Sequence, residues 1–219
     1  MMFTSFSSRR DAGRQLAGEL KRMKIDKPVI LALPRGGVPV GAEVARELNA
    51  PLDLLLVRKI GVPWQPELAA AAIVDGESPD LVLNDSVMSA LGLTRSEIDD
   101  VAGAQLAEIE RRRKLYLGDR APVSVKGCSA IVVDDGIATG TTAKAALQAL
   151  RRRDPKTVIL AVPVGAPGSL AELAEHADRV VCLQSPASFN AIGQFYLDFH
   201  QLSDQEVIDE LRIATPRSQ

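Results

Sequence analysis

The 219-residue chain is short of the residues that build metal and disulfide frameworks: it has two cysteines, Cys128 and Cys182, and two histidines, His176 and His200. Both cysteines fall in apolar surroundings, so free thiols in a reducing compartment are expected. The histidines are isolated, without metal-ligand spacing, and read as structural or surface residues. Aromatic residues make up only 4% of the chain, and no charge sign dominates, with 26 Lys+Arg against 28 Asp+Glu. A pI near 5.8 leaves no basic field for phosphate backbones, so nucleic acid is not an expected partner. No apolar run reaches the roughly 18 residues that a bilayer requires. Met1 to Asp11 carries no apolar core of a secretory signal. With 46% apolar residues the chain is not disordered. A soluble, cytoplasmic domain without a membrane partner is expected.

What is present is a rhythm. Apolar runs occur at Val29–Leu33, Leu52–Val57, Ala130–Val133 and Val158–Val162, with a weaker one at Arg179–Leu183. Continuous runs of this kind suit parallel strands covered on both faces. Helical patterns at Gly37–Leu48, Thr141–Leu150 and Ser169–His176 alternate with them, which predicts an α/β fold with a doubly wound, mainly parallel sheet. The chain reads as a single domain, 1–219, with two additions. One is an inserted hairpin and helical arm over 69–127, in which Ala70–Val74 and Asp80–Leu83 flank an Asp75-Gly76 turn and Thr94 with Glu97 forms a capping box opening a helix to about Leu117. The other is a C-terminal hood over 186–219, with a helix at Asp204–Ile213. Thr215 to Gln219 reads as a frayed end.

Ligands of open parallel sheets bind beyond the carboxyl ends of the strands. Three segments lie there. In Val133-Asp134-Asp135-Gly136-Ile137-Ala138-Thr139-Gly140-Thr141-Thr142 a strand ends in two acids, and a short Gly/Thr loop then leads into a helix. Backbone N–H groups of such a loop cradle a phosphate, and the threonine hydroxyls add donors. Paired acids beside that cradle suit a ligand with a hydroxyl pair near its phosphate, such as ribose 5-phosphate. The loop is too short for a Walker motif and lacks its lysine. The second segment, Leu33-Pro34-Arg35-Gly36-Gly37, lets backbone approach an anion while Arg35 forks onto its oxygens; alone it is equally an ordinary turn. The third, Val57-Arg58-Lys59-Ile60-Gly61, sets two cations at a strand end, which alone is equally a solvated terminus.

The first of these segments resembles the phosphoribosyl pyrophosphate (PRPP) signature of the type I phosphoribosyltransferases, and the resemblance extends over the core, Pro28 to Leu183. It implies that Asp134 and Asp135 hold the ribose hydroxyls, that Gly136, Ile137, Ala138, Thr139, Gly140, Thr141 and Thr142 hold the 5-phosphate, and that Arg35, Gly36, Gly37, Arg58 and Lys59 serve the pyrophosphate. It further implies a non-proline cis bond at Pro34-Arg35, Mg²⁺ as cofactor held by Asp134 and Asp135 directly or through water, and catalytic work by Asp134, Asp135, Arg35, Arg58 and Lys59. In the 6-oxopurine members a carboxylate stands where this chain has Ala138, which counts against hypoxanthine or guanine; adenine-type members have alanine there. The arm and C-terminal piece look like a small bacterial group of such domains whose acceptor is uncertain.

The expected reaction displaces pyrophosphate from PRPP with a nitrogenous base or related nucleophile, in a homodimer whose arm closes over the site. Phe189, Tyr196 and Phe199, with Phe195 nearby, form a cluster that either stacks a base or makes a mini-core under the C-terminal helix. Asn190 and Gln194 are candidates for reading base edges. Arg111 to Lys114 read as a solvated helix face, or as cations brought in on closure. Trp64 is loop packing or a subunit contact. The alternative function is a non-catalytic PRPP or nucleotide sensor on the same fold. PRPP synthesis is a third, for which no ATP site is evident in the sequence.

Overall fold

The structure, a computed structural model, describes residues 5–62, 64–76 and 79–214. In chain order its helices are α1 (Arg9–Arg22), α2 (Gly37–Leu48), α3 (Asp85–Leu91), α4 (Arg95–Leu117), α5 (Thr141–Arg151), α6 (Pro167–Ala174) and α7 (Asp204–Ala214). Its strands are β1 (Pro28–Ala32), β2 (Leu52–Leu54), β3 (Val57–Val62), β4 (Gln65–Val74), β5 (Asp80–Leu83), β6 (Ser129–Val133), β7 (Thr157–Val164) and β8 (Arg179–Gln184). A five-stranded parallel sheet runs in the order β2-β1-β6-β7-β8, and β3-β4-β5 form a separate antiparallel sheet. The expected α/β architecture is thus present.

Strand alternation fills two cores. Ile30, Ala32, Ile131, Val133, Ile159 and Ala161 face one way, into a cluster with α1 and α2. Val29, Leu31, Ala130, Val132, Val158 and Leu160 face the other, against α5 and α6. Burying each such aliphatic side chain contributes about 1.5–3 kcal/mol. This two-sided burial is why the strands read as unbroken apolar runs. Both cysteines are free. No helix among the described residues is long and apolar enough to cross a membrane.

The expected helices are found, and the Thr94–Glu97 capping box opens α4 as the sequence predicts. The boundary of the insertion differs. The apolar run 52–57 is cut after Leu55, whose N–H still bonds the Ala32 carbonyl at 3.0 Å. The next amide, that of Leu56, turns to the Asp75 carboxylate at 2.6 Å, and Val57 starts β3 of the second sheet. The arm therefore begins at Val57 rather than at 69. Its sheet lies between α4 on one face and α5 on the other: Ile60, Ala71 and Ile73 pack with Ile98 and Ile109, while Ala72, Val74 and Val82 pack with Ala145 and Ala149. Trp64, between β3 and β4, is 63% exposed, so it is not loop packing. The fraying expected for Thr215 to Gln219 lies outside the described residues.

Arg111 to Lys114 divide. Arg111 and Arg112 pair with Glu108 on the helix surface at 2.7 Å each. Arg113 instead turns inward and forks onto Asp75 at 2.7 Å and Asp53 at 3.0 Å. Burial works against the Arg113 charge, but Asp53 and Asp75 together raise its pKa further above the ordinary value. This residue latches the arm helix to the core and is not a mobile cation for the site.

Candidate active site

The chain leaves β1 toward β2 on one side, while β6 lies on the other, so a topological switch point opens between the carboxyl ends of β1 and β6. Two loops meet there. After β1, the Leu33 N–H bonds the Val133 carbonyl at 2.9 Å, and the Pro34-Arg35 peptide is cis, at the position the resemblance implies. Glycine is required next: a Cβ on Gly37 would lie 2.5 Å from the Val133 carbonyl oxygen, and one on Gly36 would lie 2.0 Å from Asp135 Oδ2. The first loop is thereby pressed directly onto the acid pair of the second.

After β6, Asp134 and Asp135 diverge. Asp134 is half-buried, and its Oδ1 accepts the Asp135 N–H at 2.8 Å. Asp135 is 7% exposed and is bound by Arg9 Nε at 2.7 Å. Burial raises the pKa of both, the charge of Asp135 adds to the rise at Asp134, and Arg9 opposes it at Asp135. The loop is then pinned by Ile137, whose side chain is buried and whose backbone bridges to β7, N–H to Val164 and carbonyl to the Ala166 N–H, each at 2.9 Å. Gly140 takes a left-handed φ of 74° as N-cap of α5 and provides no side-chain cap. The first amides of a helix have no intrahelical partner. Among the described residues no acceptor takes the N–H groups of Ala138 to Thr142. The Thr139 and Thr141 hydroxyls lie together on this loop, their Oγ1 atoms 3.4 Å apart. Such a concave set of uncapped donors at a helix N-terminus suits a phosphate.

The three cations expected for pyrophosphate are not gathered. Arg58 and Lys59 lie inside β3 instead of beyond a strand end, and alternation sends them to opposite faces. Arg58 Nε bonds Gln105 on α4 at 2.8 Å. Lys59 faces α5 and, with Asn84, Thr141, Lys144 and Gln148, lines a groove of about 240 Å³ beside the phosphate cradle. Arg35 donates to the Leu202 carbonyl and lies 3.8 Å from Asp204, which also accepts the Tyr116 hydroxyl at 2.5 Å.

The aromatic cluster is a mini-core and not an open slot for a base. Tyr196 is 6% exposed, sits 5.4 Å from Phe6 and 5.0 Å from Phe199 between ring centroids, and donates its hydroxyl to the Asp135 carbonyl at 2.6 Å. Phe199 also carries the Arg9 guanidinium 3.9 Å above its ring, and Phe189 stacks on Phe195 at 5.5 Å. Phe6, Phe195 and Tyr196 are buried in this packing, and Phe189 and Phe199 are partly buried at its edge. Two contributors escaped sequence reasoning, Phe6 and Arg9, both before β1. The only local signal is Ser8, whose hydroxyl accepts the Asp11 N–H and caps α1.

Comparison with known proteins identifies the family and the fold. A Mycobacterium tuberculosis protein named "Putative phosphoribosyl transferase", found under that name in two strains, is 50% identical over 203 residues, covering 93% of this chain and 45% of the relative. This chain thus spans less than half of that relative's length. The crystal structure of TT1426 from Thermus thermophilus superposes with a TM-score of 0.81 at 37% identity, covering 95% of this chain and 98% of that one. The Aquifex aeolicus protein AQ2163 shares the fold, with a TM-score of 0.52 at 14% identity over 94% of this chain and 85% of its own. The sequence profile of the phosphoribosyl transferase domain matches residues 7–200, and the chain belongs to that family.

Proposed function

We propose that this chain transfers the phosphoribosyl group of PRPP to a nitrogen nucleophile. The observation that carries the reading is the 134–142 loop at the switch point, where an uncapped helix N-terminus adjoins an acid pair. In the reaction the acceptor nitrogen gives its lone pair to C1, the C1–O bond breaks with its electrons leaving on pyrophosphate, and the nitrogen sheds a proton. The amides of Ala138 to Thr142 hold the 5-phosphate, Asp134 takes the outer hydroxyl of the diol, and the cis-linked Pro34–Gly37 turn faces the leaving group. Lys59 reaches the phosphate side of the site, and Arg35 joins the pyrophosphate on release from Asp204.

The acid pair fits Mg²⁺ of the kind that substrate oxygens complete. Among the described residues no three His, Cys, Asp or Glu side chains converge as a metal cage. Mg²⁺ needs only one or two carboxylates alongside phosphate oxygens and water. Asp134, with Asp135 behind it, would hold the ion, which when bound neutralises charge on the departing pyrophosphate. A homodimer is part of the same reading.

The test is a calorimetric titration with PRPP and Mg²⁺, followed by a screen of bases for pyrophosphate release. Asp134→Asn should weaken PRPP binding by about tenfold or more, a charged hydrogen bond being worth roughly 1.5–3 kcal/mol, with the thermal transition unchanged. Unaltered affinity in that variant would count against the site. Asp134 is the cleaner choice because Asp135 is also a packing and ion-pair residue. A second reading, a PRPP or nucleotide sensor without turnover, is favoured by one observation: Arg35 is held by Leu202 and Asp204, and Arg58 by Gln105. Binding without pyrophosphate release on any base would select it.

A further inference from the structure

We propose that Arg9, the first residue of α1, is a positioning residue that aims Asp135 at the sugar, so that the site includes a residue 126 positions before Asp135. The inference rests on the phosphoribosyl reading and adds to it a determinant of pentose recognition outside the 134–142 loop.

The guanidinium makes three separate contacts. Nε donates to Asp135 Oδ2 at 2.7 Å, Nη1 donates to the His200 carbonyl at 2.9 Å, and the planar group lies 3.9 Å over the Phe199 ring. Arg9 is 8% exposed and Asp135 is 7% exposed, so water cannot substitute for either partner. Asp135 is confined on its other sides. Its Oδ2 rests against Gly36, where even a methyl group would fall 2.0 Å away, and its carbonyl takes the Tyr196 hydroxyl. Three parts of the chain therefore converge on Asp135: the start of α1 and the Pro34–Gly37 turn on its carboxylate, and the hood on its backbone carbonyl. With Oδ2 committed to Arg9, only Oδ1 is left to address a hydroxyl, and its direction is fixed by the guanidinium. A lysine could reach the carboxylate as a point charge, but it cannot also hold the His200 carbonyl and cover the ring.

The test compares wild type, Arg9→Lys and Arg9→Met by calorimetry with four probes: ribose 5-phosphate, its 2-deoxy and 3-deoxy counterparts, and inorganic pyrophosphate. Wild type should prefer ribose 5-phosphate to at least one deoxy sugar. In the variants ribose 5-phosphate should weaken by about tenfold, as expected for a lost charged hydrogen bond. Its advantage over the deoxy sugars should shrink toward one, and pyrophosphate binding should change by less than about twofold. Lysine should retain more of the preference than methionine. Undiminished discrimination in Arg9→Lys overturns the proposal, as does an equal loss for all four probes, which is what a purely structural ion pair would give. Should Arg9→Met fail to fold, Arg9→Lys decides the matter alone. Wild-type protein that binds neither ribose 5-phosphate nor PRPP would sink the phosphoribosyl reading itself, and it would do so before any variant is made.

Discussion

Asp135 has almost no room to move, and that makes Gly36 the most exacting position in the site. In Gly36→Ala the new methyl would meet a carboxylate already held by Arg9 and packed against the turn. Relief requires Asp135 to break its ion pair or the turn to lift away from β6. PRPP affinity should fall by at least about tenfold while far-ultraviolet circular dichroism stays native; binding within twofold of wild type would show that the two loops are not in contact. The acid pair and the glycines were legible in the sequence because their chemistry is written in adjacent residues. The unequal roles of Asp134 and Asp135 were not. That inequality is imposed by Arg9 and Tyr196, which approach from segments that local spacing does not connect.

At the scale of elements, the Arg113 fork decides where the arm sits. It bridges β2, through Asp53, to the end of β4, through Asp75, and Asp75 also accepts the Leu56 amide just before Arg58 and Lys59. Arg113→Met takes this cation from buried Asp75, while Asp53 keeps Arg120 at 3.6 Å, and should cost about 3–5 kcal/mol in urea unfolding. Asp75 adds a pH signature. Burial pushes its carboxyl up from 3.8 to about 6, against the pull of Arg113. A folded pKa above the unfolded one means that the native state binds the proton more tightly. Its contribution is therefore fully favourable below about pH 4 and is lost as pH rises through about 6, at most about 3 kcal/mol for a shift of some two units. Asp75→Asn should flatten that decline in unfolding free energy between pH 4 and 6.5, and an unchanged slope would show that other groups cause it. The apolar run 52–57 hid the break between β2 and β3, because the break is made by Asp75, distant in sequence. Helix α1 was equally hidden: its buried stripe of Ala12, Leu16, Ala17 and Leu20 is thin and interleaved with charged residues.

Across the whole molecule, the amino-terminal strap and the hood close on each other. The Phe6 N–H bonds the Phe195 carbonyl and the Phe6 carbonyl accepts the Leu197 N–H, both at 2.8 Å, while Phe6 itself is buried beside Tyr196. Deleting residues 1–8 should leave the five-stranded sheet intact but free the hood. Amide hydrogen exchange should speed up over 192–199, remain slow in β1, β6 and β7, and be accompanied by weaker PRPP binding. Unchanged protection in the hood would show that its own packing suffices. The doubly wound sheet was visible from the sequence because burial on both faces leaves a mark on every strand, whereas the closure of the two ends leaves none.

Because Phe6 is stitched to the hood and Arg9 to Asp135, the segment before α1 is a poor place for an affinity tag or fusion partner. Cargo attached there would strain the seam with the hood, and a preparation carrying it could look inert for reasons unrelated to chemistry. Fusion at the opposite terminus spares that seam, and comparing the two preparations on identical substrates separates an artefact of handling from a genuine lack of turnover.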